Sequence, residues 1–428
     1  MGRTIFLTVL CFVVILFDIY CYYAILAVFK KWKPSTKQFF KKAWWTINIA
    51  LIVGVFCAIY LNLFLTARAI ILVAFFLLTA SKIVMLPFLL VDDLRRLVIK
   101  IFRKKGQSRM SDDTTTNNPT IEQSNSKIAG EPISRSAFLV KAGLIAGAVP
   151  LSSLSWGIIS GAYDYQIRRV NLKLPNLPKA FDGITLAQVS DIHSGSFYNK
   201  TAVKGGVNML LAEKPDFVFF TGDLVNNLTS ELKDYQDIFS KVTAPLGVYS
   251  VLGNHDYGDY HFGKGTSPAK VKNLQDMVAS HKIMGWDLLM NENRRLKVDG
   301  EEIGIVGIEN WGMGRFPKYG KMELAMQNTE DLPVKLLLSH DPSHWRGEVL
   351  EKYKDIDVSF AGHTHGMQFG VRLKDTQWSP VQYIYKEWAG LYQEQQQQLY
   401  VNVGYGFLGY PGRVGMLPEI TIFTLSRA

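Results

Sequence analysis

Ile184-Thr185-Leu186-Ala187-Gln188-Val189-Ser190-Asp191-Ile192-His193 is the stretch that decides the fold. Six mostly apolar residues of strand-forming type run into a polar cluster with an acid and a histidine two apart. The pattern recurs four times downstream. Phe217–Thr221 leads into Thr221-Gly222-Asp223. Val248–Leu252 leads into Gly253-Asn254-His255-Asp256. Leu336–Ser339 leads into Ser339-His340-Asp341, and Val358–Ala361 into Gly362-His363-Thr364-His365-Gly366. Short apolar runs bounded by turn residues read as buried strands. Helical patterns near 201–213, 229–241, 268–283 and 343–352 separate them. Hairpin-like strands are expected near 296–308, 399–403 and 418–425. Strands alternating with helices predict an α/β domain.

The carboxyl ends of strands in such sheets are where sites form. Five of the eight histidines fall in the five clusters. Asp, His and Asn are oxygen and nitrogen donors suited to Mn, Fe, Zn or similar ions. Alternation along a strand end would turn Asp191 and His193 the same way, so that both reach one metal. Glycines 222, 253 and 362 would let the backbone turn sharply beside Asp223, Asn254 and His363. Two metals held close together need a shared carboxylate. One cluster alone reads equally well as caps and turns; five in order do not.

The set D-x-H, G-D, G-N-H-D, a lone H and G-H-x-H, in order across residues 190–366, resembles the calcineurin-like metallophosphoesterase family. The resemblance implies a sandwich of two β-sheets flanked by helices. It implies two divalent ions, one held by Asp191, His193 and His365 and the other by Asn254, His340 and His363, with Asp223 bridging. It implies a catalytic role for His255, off the metals and facing substrate, with Asp256 orienting it. The tail, Val403-Gly404-Tyr405-Gly406 and Leu417-Pro418-Glu419-Ile420-Thr421, resembles the closing strands of the branch acting on lipid-linked or nucleotide-sugar-linked phosphates. That branch reads G-H-T-H-G-G-Q; here Met367 replaces the second Gly, which would narrow the site without removing a ligand. His261, His281 and His344 read as surface or structural residues, with His344 four residues after His340 and able to support the site from outside.

Working outward, the N-terminal part is of another kind. Residues 4–29, 44–66 and 69–91 are apolar runs of spanning length, the last two separated by a short turn near Thr66–Arg68. About 20 apolar residues cross a bilayer as a helix. The first run is too long in its core for a signal peptide, and no small-residue cleavage site follows it. Asp18 and Lys82 sit inside these runs. They would mark a polar pathway or, more simply, lie near a helix end or face a neighbouring helix. Residues 1–105 thus form a three-helix transmembrane region, and 106–136 a polar flexible linker. Residues 137–162, rich in Gly, Ala and Ser, form a fourth span or anchor, and 165–428 the catalytic domain.

Charge follows the same division. Residues 1–160 carry 19 Lys and Arg against 7 Asp and Glu; the rest carries 28 against 30. The basic residues of loop 30–43 and of 95–109 therefore read as membrane orientation and place both loops in the cytoplasm. A spanning 137–162 carries residues 165–428 outside; lying on the surface instead, it leaves them inside. The near-neutral catalytic part argues against a long nucleic-acid footprint, which needs clustered Lys and Arg. All three cysteines, Cys11, Cys21 and Cys57, lie in the apolar runs, so no disulfide framework or Cys-based zinc site is expected.

The expected partners are membrane lipids and a phosphorylated small molecule or lipid. The leading function is hydrolysis of phosphate esters or pyrophosphates of an amphipathic substrate. A nucleotide or cyclic-nucleotide phosphodiesterase is the second reading and a non-catalytic membrane binding protein the third. The complete ligand set speaks against the third. The aromatic segment 376–392 suits a membrane-facing lip or lipid-binding wall, or else packs under a loop. Trp311, Gly312 and Gly314 point to a loop on which Arg315, Lys318 and Lys321 would bind a second phosphate or, more simply, be solvated.

Overall fold

The structure, a computed structural model, describes residues 2–61, 65–107, 135–314, 316–373 and 376–428. The chain forms two compact units, Met1–Ser155 and Trp156–Ala428. Most of the linker expected at 106–136 lies outside the described residues.

The first unit is built from α1 (Gly2–Val28), α2 (Pro34–Tyr60), α3 (Leu65–Gln107) and most of α4 (Arg135–Ile159). Each contains a stretch long and apolar enough to cross a membrane: Thr4–Val28, Pro34–Tyr60, Ala67–Phe102 and Ala137–Tyr163. Two expectations need correction. Thr66–Arg68 is not a turn but the start of α3. The basic stretch from Arg95 onward is not a loop but the continuation of the same helix. At 43 residues, α3 is about 65 Å long, twice the ~30 Å hydrocarbon thickness. Asp92 steadies this extension, paired with Arg95 at 2.9 Å and Arg96 at 2.7 Å.

Large apolar side chains such as Phe6, Phe12, Ile49 and Ile70 face outward, while polar ones are buried inside. Asp18 on α1, Asn48 on α2 and Lys82 on α3 meet in the interior. The Lys82 ammonium donates to Asp18 Oδ1 and to Asn48 Oδ1. The charges face neighbouring helices, as the simpler sequence reading has it. In hydrocarbon this is the way such groups persist, paired and turned inward. Gly143 and Gly147, one turn apart on α4, let that helix approach α3 closely. A Cβ on Gly147 would stand 2.8 Å from the Ser81 carbonyl. The Ser81 hydroxyl donates to Gly147 O at 2.6 Å. Small residues at this spacing are how apolar helices pack where no hydrophobic force separates lipid from protein.

The second unit is a sandwich of two six-stranded sheets. Its strands are β1 (Gln166–Leu174), β2 (Thr185–Val189), β3 (Phe217–Phe220), β4 (Val248–Ser250), β5 (Asp287–Leu288) and β6 (Glu292–Val298). They continue as β7 (Glu301–Gly307), β8 (Lys335–Leu338), β9 (Val358–Ala361), β10 (Gly390–Glu394), β11 (Gln397–Val401) and β12 (Glu419–Arg427). One sheet has the order β1-β12-β2-β3-β4-β5, the other β10-β11-β9-β8-β7-β6. β2, β3, β4 and β5 run parallel, as do β7, β8, β9 and β11. Alternation sorts the side chains. Phe217 and Phe219 of β3 join Leu336, Leu338, Val358 and Phe360 in the core between the sheets. Val218 and Phe220 face the other way, against α5 (Lys200–Ala212) and α6 (Pro268–Met284). A third apolar cluster, with Leu337, Trp345 and Val349, covers the outer face of the other sheet.

The five strands expected ahead of the polar clusters are β2, β3, β4, β8 and β9. β1, β5 and β10 lie outside the expected strands. The helix expected at 229–241 is a 3₁₀ turn (Thr229–Asp234) and a short helix (Gln236–Phe239). The one expected at 343–352 is a wide helical turn over Trp345–Val349 running into Leu350–Lys352. Val403–Gly406 is not a closing strand. It is a loop crossing the site, with Tyr405 N donating to Ser190 O at 2.8 Å and Gly406 N to Asp191 O at 2.9 Å.

The buried ion pair yields a prediction. Asp18→Ala strands the Lys82 ammonium, and breaking a buried pair on one side costs about 3–5 kcal/mol. Asp18→Ala combined with Lys82→Leu should cost less than Asp18→Ala alone. Thermal unfolding of the full chain in detergent, followed by size-exclusion chromatography, reads the ranking. A double variant no more stable than the single one would show that the charge is not what matters.

Candidate metal centre

Ser190-Asp191-Ile192-His193 follows β2, but Asp191 and His193 do not alternate along a strand. β2 ends at Val189, and both residues are left-handed, with φ of 50° and 48°. Asp223, His363 and His365 are left-handed too, at 60°, 72° and 52°. Such conformations cost non-glycine residues of order 1–3 kcal/mol each. They persist because neighbouring loops are tied together. Asp191 N donates to Gly222 O at 2.9 Å, His193 N to Asp223 O at 3.1 Å and Ser194 N to Leu224 O at 3.0 Å.

Of the three glycines expected to turn the backbone, only Gly222 has a positive φ, 96°. The other two supply room. A Cβ on Gly253 would lie 2.2 Å from Asp223 Oδ1, and one on Gly362 2.0 Å from Ser190 Oγ and 2.1 Å from Asp191 Oδ2.

The seven residues expected to hold metal come together as two adjoining groups of donors. In the first, His365 Nε2 lies 3.2 Å from Asp191 Oδ1 and 3.0 Å from His193 Nε2. In the second, His340 Nε2 lies 3.1 Å from Asp223 Oδ2 and 3.3 Å from His363 Nδ1, which is 2.8 Å from Asn254 Oδ1. Asp223 Oδ2 also lies 3.5 Å from His193 Nε2, so this one oxygen stands between the groups.

The donors fit divalent cations. Carboxylate oxygens and imidazole nitrogens converge in sets of three within 4.8 Å, nearly all buried. Their outer atoms are tied so as to turn lone pairs inward. His340 Nδ1 lies 2.7 Å from the Thr221 carbonyl, which only accepts, so Nδ1 carries the proton and Nε2 is free to bind. The Asn254 amide nitrogen donates to the Tyr260 hydroxyl at 3.0 Å, leaving its oxygen toward His363. His363 Nε2 meets the Tyr385 hydroxyl at 2.7 Å.

Ligation needs ionised acids and neutral rings, and the electrostatics meet that need at Asp191, Asp223, His193 and His363 but not at His340. Burial works to raise Asp191 and Asp223, yet both lie well below the usual carboxylate range, through His365 beside Asp191 and His340 beside Asp223. Burial pulls His193 down to about 3 and lowers His363. His340 is pushed up to about 10, burial opposing and the Asp223 charge prevailing. Positive charge is thus favoured where a cation would sit.

His255 stands beside these groups. Its backbone N–H donates to Asp223 Oδ1 at 2.9 Å, and its ring meets that of His193 edge-on with centroids 5.0 Å apart. The role expected of Asp256 needs correction. Its buried carboxylate is spent on backbone N–H groups, accepting from Asp223 and Gly253 at 2.9 Å, Leu224 at 2.8 Å and Val225 at 3.2 Å. Burial first, and then the Asp223 charge, push it up to about 7. It shapes the loop carrying Asp223. His255 is oriented instead by the Asn226 carbonyl, 2.6 Å from Nδ1.

Two profiles of known families match the chain. "Calcineurin-like phosphoesterase" matches residues 184–367, and "Probable Calcineurin-like phosphoesterase, transmembrane domain" matches residues 2–162. A Bacillus subtilis protein, "Uncharacterized metallophosphoesterase YkuE", is 31% identical over 261 residues, 59% of this chain and 83% of that protein. The chain belongs to the calcineurin-like metallophosphoesterases. Two further relatives are both called "Transmembrane protein with metallophosphoesterase domain". The one from Danio rerio is 28% identical over 64% of this chain, and the one from Bos taurus 26% over 64%. The chain spans 60% of the length of each. Four helices of spanning length and a metallophosphoesterase sandwich make this a membrane member of the family.

Several residues at the centre of this metallophosphoesterase escaped the sequence. Asn226 lies three residues after Asp223, a spacing that marks it as within reach of the site. Arg413 carries no signal. Its buried guanidinium donates to the carbonyls of Val403, Gly406 and Met416, with one nitrogen 3.3 Å from His365 Nδ1. Burial pulls it down to about 10. Tyr260 packs against His255 with ring centroids 4.5 Å apart and the planes tilted by 32°.

The aromatic segment divides. Trp388 is buried, Tyr385 reaches His363, and the Tyr392 hydroxyl accepts from Trp388 N at 3.1 Å, while Trp378 and Tyr383 are exposed. His281 and His344 are buried structural residues, bonded at 2.9 Å to Ser250 and Ser339 hydroxyls. His344 lies against Trp311 rather than a metal donor. Lys318 sits 4.1 Å above the Trp311 ring; Arg315 lies outside the described residues. Met367 is left-handed (φ 52°) where the resemblance has Gly, and its side chain is exposed rather than closing the ligand shell.

Gly362→Ala should therefore displace Asp191 without unfolding the sheets. Bound divalent metal per chain, by elemental analysis after manganese loading, is expected to fall at least twofold with an unchanged far-ultraviolet spectrum. Wild-type metal content would show that Asp191 moves freely or does not bind.

Proposed function

We propose that this chain hydrolyses phosphate ester or pyrophosphate bonds of a lipid-linked or otherwise amphipathic substrate, using two divalent ions (Mn, Fe or Zn). The observation that carries the reading is the single Asp223 oxygen standing between His193 and His340. One shared carboxylate between two closed donor sets is the arrangement a metal pair requires. Asp191, His193 and His365 would hold one ion, and Asn254, His340 and His363 the other, with Asp223 common to both. When bound, such a pair supplies a water of lowered pKa and charge for a phosphoryl oxygen.

The protein's own contribution to the reaction centres on His255. The Asn226 carbonyl holds the proton on Nδ1, so Nε2 is the atom that exchanges one. With the ring protonated, Nε2 can donate to the oxygen leaving phosphorus or to developing charge on the phosphoryl group. Tyr260, packed against His255, would restrict the ring's orientation. The lipid-linked substrate is supported by the four spanning helices carried on the same chain. The balanced charge of the catalytic part supports a small or amphipathic substrate over a long nucleic acid.

The test is release of phosphate by the purified full chain from a panel of monoesters, diesters and lipid pyrophosphates, with and without chelator. Asp223→Asn should abolish metal-dependent release while the chain still folds. His255→Ala should keep its metal and lose about 10²–10⁴ in turnover, the range for a general acid–base group. The loss should shrink for nitrophenyl esters, whose leaving group needs no proton. Normal turnover by Asp223→Asn would sink the shared-carboxylate reading, and loss of metal by His255→Ala would make that residue a ligand.

The side of the membrane is part of the proposal. The charges at 30–43 and 95–109 favour the cytoplasm for both, which puts residues 165–428 outside once α4 crosses. A reporter active only in the cytoplasm, fused after Ala428, should be silent. Its activity would refute the external placement.

A further inference from the structure

Six residues beyond His365, the chain enters a small ribbon whose amphipathicity is reversed. Val371–Arg372 pairs antiparallel with Gln377–Trp378, and Leu373 N closes the pair on Thr376 O at 2.8 Å. In a half-buried strand, alternate residues turn charged groups out and apolar ones in. Here Arg372 turns inward, its guanidinium 2.5 Å from the buried Glu419 carboxylate. Phe369, Val371 and Leu373 turn outward, with Trp378 directly across from Val371. The turn that follows adds Tyr383 and Ile384. Leu373, Tyr383 and Ile384 are 68%, 78% and 69% exposed. An apolar face of this kind, held outward by a buried ion pair behind it, marks an interaction surface.

What it meets follows from its root. Gly370 N donates to Val414 O at 2.9 Å and Val414 N to Gln368 O at 2.8 Å. The other side of the same 410–414 loop carries the last turn of α4: Arg413 N donates to Gly157 O at 3.1 Å. A Cβ on Gly157 would lie 2.6 Å from Val414 Cγ2. This turn closes the apolar stretch Ala137–Tyr163, and its Trp156 and Ile159 are 68% and 80% exposed. The place where a spanning helix leaves hydrocarbon and the ribbon's root are thus two faces of one loop. Trp and Tyr among aliphatic residues are the side chains that settle at that depth.

We propose that Phe369, Val371, Leu373, Trp378, Tyr383 and Ile384 form a lip that inserts into the lipid bilayer interface beside the metal centre. The partner is the bilayer itself, not a protein. In bringing the centre to the headgroup level the proposal rests on the phosphoesterase reading, but its test reads no turnover.

The full chain, reconstituted in vesicles of phosphatidylcholine and phosphatidylglycerol, receives a fluorescent amino acid at position 373, 384 or 282. Position 282 is an exposed site on α6. Phosphatidylcholine bearing a nitroxide high on its acyl chain is the quencher. Loss of most of the emission at 373 and 384, with none at 282, is the expected result. Unquenched emission at 373 and 384 overturns the proposal. So does equal quenching at 282, which would mean general adsorption of the domain. Inactivity toward every phosphate ester with quenching intact would refute the enzyme reading and leave the lip standing.

Discussion

The Asp223 carboxylate is the constraint on which the rest of the site depends. Its Oδ2 lies between two imidazoles contributed by different sheets, and its Oδ1 receives the His255 amide. To put one side chain in contact with both halves, the ends of β3 and β8 must meet at one edge of the sandwich. The bulk of Phe217, Phe219, Leu336 and Phe360 in the core between the sheets holds them at that spacing. Asp256 contributes by holding the backbone from Asp223 to Val225 in place. That carboxylate is given over to backbone amides and so to shape, although Asp256 is the chain neighbour of His255.

The left-handed conformations at Asp191, His193, Asp223, His363 and His365 give the centre a second property. Five strained residues in one place are tolerable only if the surrounding structure over-determines them. Here the loops are interlocked by backbone hydrogen bonds, and the glycines at 253 and 362 leave no space into which a ligand could relax. Preorganisation of this kind means that the candidate donors are aimed by the protein itself.

Much of this was legible in the sequence because strand ends and metal donors share a local signature. The five apolar runs ending in Asp, Asn and His mark β2, β3, β4, β8 and β9 within a residue or two, and the seven candidate donors at their ends converge in the fold. Family resemblance then supplied the sandwich, which local pattern cannot give. What stayed hidden depends on long-range contact. β1 reads Gln-Ile-Arg-Arg-Val-Asn-Leu-Lys-Leu, a weak strand signal whose partner β12 lies some 250 residues away. Arg413 is an ordinary arginine until the fold wraps carbonyls around it. Asn226 acts through its backbone oxygen, which any residue has. The three glycines were picked out correctly, but only Gly222 for the conformational reason given; the crowding around Gly253 and Gly362 comes from loops distant in the chain. The Lys82–Asp18 contact could be stated only as a choice between alternatives, because hydropathy says how far a helix is buried and not which face meets which.

The position of β12 has a consequence for the order of assembly. Residues 419–427 follow every other strand in the chain, yet they lie between β1 and β2, parallel to the first and antiparallel to the second. Until they are synthesised, β1 has no neighbour and β2 has one open edge. Contacts this distant in sequence form slowly and late. β1 therefore gains its partner, and β2 its second neighbour, only once residue 427 has been synthesised.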